Sequence, residues 1–426
     1  MRRAMVYSIL DQAVLSAFNL GLSLLLVATV APAEFGRFSY VLAILLILGS
    51  VHNALVATPI GVSLPGQGTA TRADVLSVLL GADHRLRVAL MPVAAILLAF
   101  AGTDAAYLGP ALALCFFSLW RETQRGVAFA LSEAGRALVI DLVAVSVSAL
   151  AAGLLWRMMP PVPALLSGMA AGSAAAVAVA HATGPFGRLG FRRERAADVG
   201  FGADSRSGGW RRYGRFWHEA RWSLLGAVTT EAQFRGYVFA VQALRGAETL
   251  GAIQAGRALM GPLPLLASAW SRVARPEMTR ALVERRDADA LRTVILGTGG
   301  VLFLSLGYLA ALALAWPWIE PRLFGGRYPG IGVLTAAWGL TTLIGTGHIC
   351  LGTYLQAARC FRPLAFVSVG GAAASAVALA GLATAVPTVY AVGAVAVGET
   401  VALVWSLVLV VGNGRRSGAV GEGARP

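Results

Sequence analysis

Lysine is absent from this 426-residue chain, cysteine and histidine are scarce, and charged residues make up only 13%. A soluble domain is about one quarter charged, so the shortage excludes an ordinary water-facing surface. The three cysteines, Cys115, Cys350 and Cys360, form no close pair and no metal-ligand spacing, which excludes a disulfide framework or a zinc site. Five histidines with no metal spacing, no GxSxG elbow and no phosphate-binding loop leave no enzyme signature. No catalytic residue, metal or cofactor is expected.

What is present is apolar. Hydrophobic residues supply 57% of the chain, and its mean hydropathy is +0.70. Hydropathy places membrane spans near 8–30, 37–60, 84–102, 107–124, 137–156, 162–182, 219–243, 247–270, 292–316, 331–357, 362–384 and 387–412. Each is long enough to cross a hydrocarbon layer of about 30 Å at roughly 1.5 Å per residue. The first stretch is too long for a cleaved signal and serves as both targeting signal and first span.

All 35 basic residues are arginine. Five of them, Arg37, Arg157, Arg245, Arg322 and Arg327, fall beside loops after odd-numbered spans, and Arg235 and Arg257 fall inside spans. Every other arginine lies at a terminus or beside a loop after an even-numbered span. This positive-inside asymmetry predicts an even number of spans with both termini cytoplasmic. It also explains the net charge of +14 through membrane lipids, with no nucleic-acid partner.

The one long polar stretch, 188–221, carries Gly200-Phe-Gly-Ala-Asp-Ser-Arg-Ser-Gly-Gly209 near the chain's midpoint and reads as a linker. The halves on either side resemble each other. Pro32-Ala-Glu34-Phe-Gly36-Arg37 matches Arg245-Gly-Ala-Glu248-Thr-Leu-Gly251, and aligning Gly36 with Gly251 gives an offset of 215, with one residue of slippage at the glutamates. The expected fold is therefore an all-α polytopic membrane protein of about twelve helices, in two pseudo-symmetric six-helix lobes around a central cavity. The lobes are 1–187 and 219–426, joined by an arginine-rich cytoplasmic segment 188–218. Gly168-Met-Ala-Ala-Gly172 has the GxxxG spacing of close helix packing.

Short motifs point to a family. Asp11-Gln12-Ala-Val-Leu-Ser16-Ala-Phe-Asn19 followed by Ala31-Pro-Ala-Glu34-Phe-Gly36-Arg37 resembles the start of Wzx-type polysaccharide flippases, members of the multidrug/oligosaccharidyl-lipid/polysaccharide exporter superfamily. Leu119-Trp-Arg121-Glu-Thr-Gln-Arg125 through Arg136–Asp141 is similar to the arginine-rich turn after that family's fourth span. Leu323-Phe-Gly-Gly-Arg327-Tyr328 resembles its turn before the tenth span. The resemblance implies a bacterial cytoplasmic-membrane transporter of a lipid-linked oligosaccharide, with polysaccharide polymerase and glycosyltransferases as partners. Lacking a nucleotide motif, the chain is expected to draw on an H+ or Na+ gradient or on the downhill glycolipid concentration difference alone. The superfamily also contains cation-coupled multidrug exporters, which stand as the alternative. A polymerase or structural partner of polysaccharide synthesis is a third reading, opposed by the short outer loops. Several related flippases carry a positive charge on the first span, and this chain has none.

Ionisable groups at membrane depth are expensive and mark sites. Glu231 and Arg235 share one face of the seventh span at i and i+4, as a cavity lining or as a self-cancelling pair. Gln233 leaves that face for an interhelical hydrogen bond. Arg257 has no acidic residue one turn away and is a candidate for a phosphate headgroup, which a guanidinium grips with a planar fork. Glu399 is a coupling carboxyl, an arginine partner or a buried neutral acid, while His348 reads as a packing histidine. His52 and Asn53 lie deep in the second span and are expected on the cavity. Asp11, Gln12, Arg121, Arg125 and Asp141 form a candidate cytoplasmic entrance, with solvated or lipid-anchoring roles as the alternatives.

Overall fold

Every long apolar stretch is followed by glycine, proline or a charge cluster, and the chain folds as a succession of helices broken at those points. The computed structural model describes residues 2–64, 69–102, 104–183, 205–381 and 387–422, and among these all regular structure is helical. Twelve helices result: α1 Arg2–Thr29, α2 Pro32–Ser63, α3 Thr69–Phe100, α4 Ala105–Ala130, α5 Ala134–Leu155 and α6 Pro161–Thr183 in the first half. The second half holds α7 Ser205–Ala258, α8 Pro262–Val283, α9 Asp287–Phe324, α10 Ile331–Ala357, α11 Phe361–Ala380 and α12 Val389–Glu422. Eight of the helices are long and apolar enough to cross a membrane. Large apolar side chains such as Leu150, Leu154, Phe303 and Leu314 are exposed along them, which suits lipid and not water. The remaining four, α3, α4, α7 and α8, carry the charges discussed below.

Two boundaries differ from the sequence reading, each for a local reason. Helix α3 begins at Thr69, fifteen residues before the expected span, because its polar first turns pack on protein. The seventh and eighth spans follow one another without a loop as the two helical segments of α7, which break at Gly246, where φ is +80° and ψ 177°, a conformation open mainly to glycine. The chain next breaks at Pro262, inside the expected span 247–270, where proline opens α8.

The chain divides into two compact units, one of Met1–Leu22 with Tyr40–Val228 and one of Ser23–Ser39 with Thr229–Pro426. The turn between α1 and α2 thus clusters with the second unit. In the first unit, Tyr213 and Phe216 of α7 enter a core with Val56, Ile60, Leu76 and Leu79. The segment expected as a linker is accordingly helical from Ser205 onward, while residues 188–204 lie outside the described residues. Arg215 and Arg212 both bond Asp74 on α3, and they hold its carboxyl below the usual carboxylate range. Also in this unit, Gly168 and Gly172 lie flush against Ala152, Ala144 and Ser148, so α6 packs directly on α5.

The half-chain offset has a physical counterpart in the second unit. A β-carbon on Gly36 would lie 1.8 Å from the carbonyl oxygen of Ala247, and one on Gly251 would lie 1.9 Å from that of Pro32. The two aligned glycines are reciprocal partners, each giving the other's helix start room to approach. Nearby, Arg327 of the turn after α9 bonds the carbonyl oxygens of Ala28 and Val30. These end α1 without helical N–H partners, so the arginine serves as the cap.

Candidate functional site

A cluster of polar and charged side chains in the second unit draws on α7, α10 and α12. On α7, Arg235 bonds Glu231 one turn earlier, with both side chains partly buried. Beyond the Gly246 bend, Arg257 lies near enough to Arg235 for their charges to interact. Tyr237 anchors the group: its hydroxyl accepts from Arg257 at 3.1 Å and from Gln254 at 2.9 Å. Trp338 of α10 lies beneath, with the Arg257 guanidinium 5.0 Å above its ring and the Tyr237 ring 5.4 Å away. The indole N–H donates to Ile253 O at 2.9 Å, which fixes the ring's orientation. Two guanidiniums and one carboxylate leave this cluster with a net positive charge.

Gln233 leaves the opposite face of α7, as its place in the helix demands. Its amide donates to Glu399 at 3.0 Å, and the ring of His348 meets the other Glu399 oxygen at 3.3 Å. Glu399 is 1% exposed. Its partners are therefore an amide and an imidazole, and no arginine reaches it across helices in the bonds described. Gly371 and Gly345 open the space: a β-carbon on Gly371 would stand 3.0 Å from Gln233, and one on Gly345 3.2 Å from Glu399.

In the first unit, the expected entrance residues do meet. Arg125 of α4 bonds Asp11 of α1 at 2.9 Å and Glu122 at 2.8 Å, and its Nε lies 2.6 Å from Asp141 of α5 as an ion pair without hydrogen-bond geometry. Arg121 lies 3.2 Å from Glu122 and 3.8 Å from Asp141. Asp11 and Asp141 are buried, so neither is a solvated interface residue. Three carboxyl groups and two guanidiniums meet here. Gln12, next to Asp11, is half-buried.

A further polar group escaped the sequence reading. His52 Nε2 lies 2.7 Å from Asp83 Oδ1, and Arg87 bonds the other oxygen at 2.7 Å and 3.0 Å. Thr123 of α4 donates to Asp83 at 2.6 Å. All four residues are buried. The Arg87 guanidinium rests 4.6 Å from the Trp120 ring and 5.2 Å from that of Phe116. Asp83 and Arg87 have the i,i+4 spacing of an ion pair, but with the third span drawn from 84 they read as loop residues. Asn53, expected beside His52, is exposed on the other side of α2. There α2 forms a π turn, Asn53–Ala57. Pro59 has no N–H for the Leu55 carbonyl four residues back, and Tyr213 of α7 replaces that donor at 2.6 Å.

No family model matches the sequence, and no curated protein matches it. Solved structures do. An inward-facing multidrug resistance MATE family transporter of the MOP superfamily superposes with a TM-score of 0.70 at 11% identity, covering 99% of this chain and 100% of that one. The lipid II flippase MurJ, in an inward closed conformation, gives a TM-score of 0.71 at 11% identity over 95% of this chain and 87% of that one. An outward-facing MATE transporter gives 0.57 at 13% identity, covering 98% and 96%. At these identities the likeness establishes the fold: an all-helical, two-lobed architecture of the MOP-superfamily type.

Proposed function

We propose that this protein moves a lipid-linked, phosphate-bearing oligosaccharide across the bacterial cytoplasmic membrane by alternating access, with both termini cytoplasmic and without enzymatic chemistry. The observation that carries this reading is the charge balance around Tyr237. Arg235 and Arg257 face a single carboxylate, Glu231, and an unneutralised guanidinium among apolar helices suits an anionic headgroup. The planar ring of Trp338 beside Arg257 adds an apolar face on which a sugar ring can stack. The prenyl tail of such a cargo remains in lipid.

A fold shared with a lipid II flippase and with multidrug transporters fits a cargo carrier of either kind. The multidrug alternative is favoured by one observation, the buried carboxyl of Glu399. It gains ground if Glu399 proves essential while the arginines do not. Glycosyltransferases would then make the cargo, and a polymerase would consume it, only under the first reading.

The test is substitution at the cluster. Arg257→Ala is expected to lower glycan export at least tenfold in a complementation assay while membrane abundance stays near normal, because Tyr237 keeps its bond from Gln254. Arg235→Ala should lower abundance as well, since it removes the guanidinium paired with the partly buried Glu231. The double change Glu231→Gln with Arg235→Gln separates the roles. Lost export at normal abundance supports cargo handling, and full export reduces the pair to an insertion device.

A further inference from the structure

We infer that His52 is a proton-binding site whose charge state controls the π turn of α2. In the bonding arrangement assigned here, neutral His52 donates through Nε2 to Asp83 Oδ1. Asp83 also accepts from Thr123 and from two nitrogens of Arg87, so both carboxylate oxygens are occupied. Asp83 and Arg87 cancel, and the buried group is neutral as a whole. His52 Nδ1 is also buried and has no hydrogen-bond partner. A proton arriving there would create a donor with nothing to accept it. It would also place a second positive charge about the same carboxylate as Arg87, itself left with an unpartnered buried nitrogen, Nη1. Burial without a partner is costly for a polar atom and more so for a charge. This conformation offers no acceptor at Nδ1, and a second ring proton would be satisfied only after a rearrangement that brings one there.

The surroundings indicate which part moves. On α3 the charged groups facing His52 are Asp83 and Arg87, and on α4 the facing polar group is Thr123. The charges near Thr123, Arg121, Glu122 and Arg125, are engaged with one another and with Asp11 and Asp141. On α7, Tyr213 reaches this stretch of α2, its hydroxyl committed to Leu55 O. His52 directly precedes the π turn, the stretch of α2 whose helical hydrogen bonding is already irregular. Its one substitute donor comes from the arm of α7 that runs on to Glu231 and Arg235. Opening the turn for Nδ1 would disturb the Tyr213 bond to Leu55 O, within the first unit.

The inference rests on the transporter reading for its use, but its test needs no cargo, so either can fail alone. Full-length protein labelled with [15N]histidine in lipid nanodiscs is titrated from pH 5 to 9, with His52 assigned by the loss of its signal in His52→Gln. Hydrogen exchange of peptides spanning 53–60, corrected for intrinsic rates, is followed over the same range. The expected result is that exchange changes at least tenfold with the same midpoint as the His52 signal, and that His52→Gln abolishes the change. Tyr213→Phe, which leaves the buried Asp83–Arg87 pair intact, should alter the size of the exchange change at an unchanged His52 midpoint, and it carries the test if His52→Gln fails to accumulate. A His52 signal that never titrates, or exchange that ignores its titration, overturns the inference.

Discussion

Replacing Asp83 by leucine is expected to remove most of the protein from the membrane. The side chain is 1% exposed and neutralises Arg87, which is 3% exposed. Deleting one partner of a buried ion pair typically costs about 3–5 kcal/mol, because the other charge stays buried and uncompensated. Here the loss also strips a bond each from His52 and Thr123. The rings of Trp120 and Phe116 offer Arg87 partial shelter through cation–π contact, worth about 2 kcal/mol when desolvated, which does not offset the deficit. The double change Asp83→Leu with Arg87→Met removes both charges and should recover a large part of the abundance. Fluorescence-detected size-exclusion chromatography and thermal unfolding in detergent measure both. Near-normal stability in the single variant would mean that the pair is not buried as described.

A second large effect is expected at Gly36 and Gly251. Neither Gly36→Ala nor Gly251→Ala can be accommodated by side-chain movement, because the atoms in the way are backbone: Ala247 O in one case and Pro32 O in the other. Overpacking of a close contact costs about 1–3 kcal/mol, and displacing two helix starts belongs at the upper end. Since the two glycines meet each other, the double alanine variant should be far from additive, as the first substitution already separates the helices. Gly21→Ala, with open space around its β-carbon position, is the control and should be nearly neutral. Unfolding midpoints of the four proteins in detergent check this. Equal, additive losses would contradict a direct glycine-to-glycine contact.

Much of this architecture was legible in the sequence because lipid imposes simple rules. Length, apolar composition and arginine placement located twelve helices, and the 215-residue offset matched Gly36 to its actual neighbour Gly251. The expected departure of Gln233 from the Glu231–Arg235 face was legible from helical geometry, and its partner proved to be Glu399. Hydropathy failed where polarity was buried by tertiary partners. Asp83 and Arg87 lowered the apolar score of α3 and so were assigned to a loop, although each is buried by a neighbour that only the fold supplies. Asn53 and His52 were grouped by adjacency, yet successive helical residues point about 100° apart and only His52 turns inward. Tyr237 and Trp338 gave no signal at all, since an aromatic in an apolar helix is ordinary until its hydroxyl or ring is found against an arginine.

The central claim is that the cargo is anionic, and reconstitution tests it most directly. Purified protein in liposomes is given, in separate experiments, a fluorescent polyprenyl-diphosphate saccharide and a fluorescent lipophilic cation, with a dithionite-type quencher reporting headgroup movement and dye accumulation reporting export. The account predicts protein-dependent movement of the diphosphate-linked saccharide, reduced at least tenfold by Arg257→Ala, and no protein-dependent movement of the cation. Transport of the cation by the wild-type protein and by Arg257→Ala alike, with the saccharide left in its original leaflet, would contradict it.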